Sequence, residues 1–222
     1  MVLDEYTSPE FGRCALVTID VQRDVLEGGS LEVPGTSAVL PRIAGLARAF
    51  RDARRPVVHM VRLYQPDGED VDPSRRARMR SGRPTLVAGS AGAELAPGLL
   101  EVGAEGLDAI RLLEGLPQQV GADEVVIFKP RWGAFFRTPL AEHLEMLEVS
   151  TLVFAGANYP NCPRTSIYEA SERDFRLVLA GDGVSGLYER GVAELEGIGV
   201  AVMTSDEIAA ALSASPGQAS RP

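Results

Sequence analysis

Short apolar runs alternate along the chain with longer stretches in which apolar residues recur every three or four positions. Cys14 to Ile19 reads Cys-Ala-Leu-Val-Thr-Ile, the near-continuous apolarity of a strand buried on both faces. Similar runs occur at Val57 to Val61, Glu124 to Phe128, Thr151 to Ala155, Leu177 to Ala180 and Val200 to Met203. Between the first two, Leu40, Ile43, Ala44, Ala47 and Phe50 lie at helical spacing and predict a helix over Ala38 to Ala53, with Pro56 beyond its end. Thr138-Pro139 predicts another helix start, with a hydroxyl cap and a proline where its missing N–H does no harm. Thr204-Ser-Asp-Glu207 has capping-box spacing and leads into Ile208 to Leu212. Strands alternating with helices imply right-handed crossovers. The expected fold class is therefore α/β: a three-layer αβα sandwich around a six-stranded parallel sheet, in one domain over residues 1–212.

Two segments break this rhythm. Residues 64–123 form a long polar insert that starts acidic (Asp67, Glu69, Asp70, Asp72) and turns basic (Arg75, Arg76, Arg78, Arg80, Arg83). It reads as a solvated loop with a short helix whose charges pair internally or across subunits, as a lid or an interface. The tail, Ser213 to Pro222, lacks apolar content and is expected to be disordered.

Composition narrows the function. The 222 residues carry 22 Lys+Arg against 31 Asp+Glu, a net charge of −9 that opposes nucleic acid or anionic membrane as partner. Two cysteines, Cys14 and Cys162, build no disulfide framework, and the acidic start MVLDEYTSPE is unlike a signal peptide. A cytoplasmic enzyme acting on a small molecule is the expectation.

Ligands of parallel α/β sheets bind beyond the carboxyl ends of the strands. Asp20 follows the first predicted strand, Lys129 the third, and Gly156-Ala-Asn-Tyr-Pro-Asn-Cys162 the fourth. A nucleophile, a carboxylate and an ammonium thus arrive at one edge. Cys162 precedes a predicted helix, Arg164 to Arg173, where the dipole and Lys129 favour the thiolate and lower its pKa. Asp20 then serves as general base and acid. Cys14, inside a strand, reads as a small buried hydrophobe.

These residues, with Ala15 to Asp24, Leu31 to Gly35, Gly89 to Leu95, Ala134 to Leu140 and Asp182 to Ser185, resemble the isochorismatase-like cysteine hydrolases, which include N-carbamoylsarcosine amidohydrolase, nicotinamidase and biuret-type hydrolases. The resemblance runs from about Arg13 to Leu212 and is weakest in the insert. It implies an Asp–Lys–Cys triad on Asp20, Lys129 and Cys162. It also implies a cis peptide at Ala157–Asn158 that aims the backbone N–H groups of Asn158 and Cys162 at an oxyanion, and attack on an amide, carbamoyl or ureido carbonyl through a thioester. Gln22, Trp132, Phe135, Arg137 and Tyr159 are the expected substrate-binding residues, with Arg131, Arg137 and Arg164 as clamps for a substrate carboxylate. Phe135 and Phe136 serve equally well as core. Homo-oligomers, dimers or tetramers, are expected by resemblance.

The chain departs from that pattern in several places. Nicotinamidase-type members hold a metal with Asp and two His after the second strand. Here only His59, within that strand, and His143, on a helix, are present, so no metal or other cofactor is expected. Val25, Arg137, Pro163 and the Tyr159-Pro160 pair also differ from the usual family residues. The alternatives are a vinyl-ether hydrolase of the isochorismatase type, a non-catalytic partner-binding protein of the same fold and, as a minor option, a redox role for Cys162.

Overall fold

The computed structural model describes residues 4–215. Its centre is a seven-stranded sheet formed by β1 (Cys14–Ile19), β2 (Val57–Val61), β3 (Gln118–Gly121), β4 (Glu124–Phe128), β5 (Thr151–Gly156), β6 (Arg176–Val184) and β7 (Ala201–Met203). The spatial order is β3-β4-β2-β1-β5-β6-β7, and all neighbours are parallel except β3 and β4. Seven strands replace the expected six. The extra one, β3, is an antiparallel edge strand folded back on β4 across Ala122 and Asp123. Its sequence, Gln-Gln-Val-Gly, has one apolar residue and no alternation to betray it.

Helices α1 (Thr36–Asp52), α2 (Pro73–Arg80), α3 (Ala109–Leu113), α4 (Leu140–Met146), α5 (Cys162–Ser171), α6 (Glu189–Glu196) and α7 (Ser205–Ala214) complete the fold. Alternate residues of β1 feed two separate cores. Cys14 and Leu16 join Ile43, Leu46 and Phe50 of α1 and Ile208 and Leu212 of α7, while Ala15, Val17 and Ile19 join Leu140, Leu144, Ile167 and Leu195 of α4, α5 and α6. This period of two inside an all-apolar strand is what a sheet covered on both faces requires. Cys14 lies in the first core, and burial pushes its thiol up to about 12, in keeping with a packing role.

The capping box of α7 forms as predicted: the Glu207 N–H donates to Thr204 Oγ1 at 3.2 Å, and the Thr204 N–H donates to Glu207 Oε2 at 2.7 Å. Helix α4 starts at Leu140, so Pro139 caps it instead of opening it. Helix α7 continues through Ser213 and Ala214, against the expected disorder there, because serine and alanine extend an already capped helix at little cost. The rest of the expected tail, 216–222, lies outside the described residues. The insert carries α2, α3 and β3 and a small core of its own, in which Tyr64, Val71 and Leu86 pack with Leu31 and Met79.

One buried polar network ties strands to helix on the α1 face. Glu124 accepts from Arg51 Nε at 2.7 Å and Nη2 at 2.6 Å, and lies 2.6 Å from His59 Nε2. The other ring nitrogen of His59 faces Thr18 Oγ1 at 2.7 Å. Both histidine nitrogens are thus occupied inside the sheet. Burial works to raise the Glu124 carboxyl, but Arg51 and His59 prevail and hold it down at about 2, against 4.5 ordinarily. A depressed carboxylate stabilises the fold above its ordinary pKa and loses that contribution as pH falls from 4.5 toward 2. Glu124→Gln is therefore expected to lower stability at pH 7 by about 3 kcal/mol. In denaturant melts the gap between the two proteins should close as pH falls through this window; a gap independent of pH would contradict the assignment.

Candidate active site

The site forms where three strands end. Strand β1 stops at Asp20, whose φ of +52° is a left-handed conformation that aspartate tolerates better than most residues. Strand β5 stops at Gly156, with φ +127°, and a Cβ there would lie 2.2 Å from the Ile19 carbonyl oxygen. Only glycine lets the end of β5 run this close to the end of β1. The Ala157 N–H then donates to that carbonyl at 2.9 Å, tying the 157–162 turn to the residue before Asp20. Lys129 follows β4, and its backbone N–H donates to Val61 O at 2.9 Å.

This framework brings Asp20, Lys129 and Cys162 together. Lys129 is fully buried, and its Nζ donates to Asp20 Oδ2 at 2.9 Å and to Arg131 O at 3.3 Å. Asp20 Oδ1 is buried and engages no partner among the described residues. Burial works to raise the Asp20 carboxyl, yet the charges of Lys129 and the nearby Arg62 hold it below the ordinary carboxylate range. Asp20, Ala157, Asn158 and Cys162 line one narrow cleft with Val25, Leu31, Val33, Leu86 and Arg75. Only a small ligand fits.

The resting state of the sulfur differs from expectation. Cys162 does open α5, but burial and the Asp20 charge push its thiol up, against the opposing pull of Lys129 and Arg62. Helix position and a neighbouring lysine are legible in sequence; desolvation and an adjacent carboxylate are not. The thiol therefore rests protonated. The Ala157–Asn158 bond is also trans, as is every other peptide bond among the described residues. The turn closes by other means, with Tyr159 N–H donating to Ser185 O at 2.8 Å and Asn161 N–H to Asn158 O at 3.0 Å. The N–H groups of Asn158 and Cys162 donate to no acceptor among the described residues.

The five expected substrate-binding side chains do not reach this cleft. Gln22 is fully buried and spent on the framework: Nε2 donates to Arg62 O at 2.9 Å and Ala93 O at 2.6 Å, and Oε1 accepts from Arg62 N–H at 2.9 Å. Trp132 and Phe135 pack in the core on the α4–α6 face, where Phe135 meets Phe175 at 6.0 Å. The Tyr159 hydroxyl donates to Gly191 O at 3.0 Å, deep in the same core. Arg137 is exposed and lies over the Phe136 ring at 5.1 Å. Of the other expected clamps, Arg131 donates to the backbone oxygens of Asp70 and Pro130, and Arg164 pairs with Glu194 at 2.9 Å. Apolar side chains of the core and backbone carbonyls thus claim residues that lie near Cys162 or Lys129 in sequence. The walls come instead from Val25, from Leu31 and Val33 of a quoted motif, and from Arg75 and Leu86 of the insert. The Leu86 N–H is anchored by Asp24 Oδ2 at 2.6 Å.

Among the described residues no three His, Cys, Asp or Glu side chains converge as a metal site, and none of the helices is long and apolar enough to cross a membrane. The family model of the isochorismatase domain matches residues 14–207. The chain belongs to the isochorismatase family. A maleamate amidohydrolase of Pseudomonas putida is 31% identical over 192 residues, 84% of this chain and 81% of that protein. A probable inactive nicotinamidase of Arabidopsis thaliana is 28% identical over 200 residues, 87% of this chain and 93% of its own. The crystal structure of an isochorismatase family protein from Desulfovibrio vulgaris matches with TM-score 0.76 and 30% identity, covering 90% of this chain and 98% of that one. The family is hydrolytic and includes amidohydrolases, and its α/β fold is the one found here.

In this family member the Asp20–Lys129 pair is itself a stability element. Lys129→Met leaves a buried carboxylate with less compensation, which is expected to cost about 3–5 kcal/mol at pH 7. Asp20 then protonates more readily, so the deficit narrows as pH falls toward and below its ordinary pKa near 4. Urea melts from pH 7 to pH 4 measure this; wild-type stability for the variant at pH 7 would contradict the pairing.

Proposed function

We propose that this protein is a metal-independent cysteine hydrolase that cleaves a C–N bond of a small amide, carbamoyl or ureido substrate through a thioester on Cys162. The observation that carries this reading is the cleft shared by Cys162 and Asp20, with one oxygen of Asp20 pinned from behind by Lys129 and the other unengaged among the described residues. That free Oδ1 is the acceptor for the thiol proton. With the thiol raised and the carboxyl depressed, the transfer is uphill at rest. It therefore proceeds together with attack of sulfur on the substrate carbonyl, in the manner of general base catalysis.

The N–H groups of Asn158 and Cys162, which have no acceptor among the described residues, are suited to receive the developing oxyanion. Each such donor is worth about 3 kcal/mol in the transition state. Asp20 passes its proton to the leaving amine, the C–N bond breaks and the acyl group stays on sulfur. Water then attacks the thioester, gives a proton to Asp20 and releases the acid, and the proton returns to Cys162. Lys129 keeps Asp20 ionised between steps and offsets negative charge as it moves between carboxylate and sulfur.

Ammonia release from maleamate, carbamoyl amino acids, biuret and nicotinamide tests the reading. Cys162→Ser and Cys162→Ala are expected to abolish turnover, and Asp20→Asn to lower kcat by about 10²–10⁴ with the fold retained. Turnover that survives Cys162→Ala would sink the thioester route. Vinyl-ether hydrolysis unaffected by Cys162→Ser would favour the isochorismatase-type reaction instead.

A further inference from the structure

Around the cleft the buried charges are paired but their hydrogen bonds are not all met. Buried Lys129 and Arg62 face two buried carboxylates, Asp20 and Asp72, and part-buried Arg75 stands at the cleft with Asp24 behind its Leu86 wall, while Cys162 and Tyr64 rest protonated. Arg131, close by, donates to the backbone carbonyls of Asp70 and Pro130. The Arg62 guanidinium is wholly buried: Nη1 donates to Asp72 Oδ2 and Pro130 O, each at 3.1 Å, but Nε and Nη2 find no acceptor among the described residues. Leaving buried donors of a charged group unpaired is costly, so the field of Arg62 behind the cleft favours negative charge.

Of these cations Arg75 is the one that lines the cleft. It rises from α2 in the insert, lines the cleft beside Asp20 and Cys162, and keeps 19% of its side chain exposed. Its Nη1 donates to Tyr64 Oη at 2.9 Å and lies 3.6 Å from Asp72 Oδ2. Asp72 in turn accepts from Tyr64 Oη at 2.6 Å and from Arg62. One edge of the guanidinium is therefore fixed, and Nε and Nη2 engage no acceptor among the described residues. A planar fork held from behind is the geometry that receives a carboxylate through two hydrogen bonds.

We propose that Arg75 is the receptor for a substrate carboxylate, so that the preferred substrates are short amido acids whose carboxylate lies a few bonds from the scissile carbonyl. The reaction rests on the hydrolase reading above; the anion site does not. The narrowness of the cleft sets the size, and the apolar wall of Val25, Leu31, Val33 and Leu86 suits a short carbon linker between the two polar ends. The arginine-rich insert thus acts on specificity through one residue.

Two measurements separate the anion site from the reaction. The first compares kcat/KM for succinamate with that for its methyl ester. Arg75→Gln is expected to reduce this ratio by about 30-fold, mainly through KM for the acid, and Arg75→Lys to restore part of it. The second needs no turnover: alkylation of Cys162 by iodoacetate against iodoacetamide, read by peptide mass spectrometry. Arg75→Gln should lower the iodoacetate-to-iodoacetamide rate ratio about tenfold. An unchanged alkylation ratio, or equal losses for acid and ester, overturns the carboxylate receptor. A fallen alkylation ratio without hydrolysis of any amide upholds the anion site and counts against the hydrolase reading alone.

Discussion

A carboxylate and an ammonium buried against each other at the ends of β1 and β4 set the terms for everything around them. Neither charge is stable alone in that place, and Lys129 holds Asp20 ionised. The pair exists because Asp20 leaves its strand in a left-handed conformation and because Gly156 lets β5 close on β1 without a side chain between them. Lys129 reaches Asp20 from across β2, which lies between their strands. Fold and site therefore share one interaction: the sheet brings the charges together, and their pairing makes the sheet edge tolerable.

On the proposed reading this arrangement also dictates how the sulfur works. A buried thiol beside a carboxylate keeps its proton, so the cleft stores no free thiolate, and reactivity appears only when a carbonyl arrives to accept the sulfur's electrons. Such a nucleophile is guarded against adventitious alkylation and oxidation, which follow thiolate character and exposure. Positive charge from Lys129, Arg62 and Arg75 surrounds the site although the chain as a whole is acidic. Bulk charge describes the surface; the cleft has its own balance.

Much of this was legible in the sequence. Strands β1, β2, β4 and β5 announce themselves because burial on both faces demands unbroken apolar runs, and the residues just beyond them, Asp20, Lys129 and the turn to Cys162, follow from where parallel sheets place their ligands. Strand β3 was illegible because its pairing is supplied by β4, not by its own four residues. The sulfur's protonation state was misjudged because helix position is written in sequence whereas desolvation and the distance to Asp20 are not. Gln22, Trp132, Phe135, Arg137 and Tyr159 lie near the chemistry along the chain, but their side chains point into frameworks, cores or solvent. Arg75 was lost in a run of arginines, and only the contacts of Asp72, Tyr64 and Arg62 single it out. Proximity along the chain located the reacting groups and misplaced the walls.

The central claim is that Cys162 carries the acyl group. Acid quenching during turnover of an amido acid, followed by peptide mass spectrometry, tests it most directly. The account predicts an adduct of the acyl mass on the peptide containing Cys162, released by hydroxylamine as a thioester should be, and no adduct on the peptide containing Cys14. Steady ammonia release with Cys162 never acylated, even when hydroxylamine is present to intercept the intermediate, would contradict it.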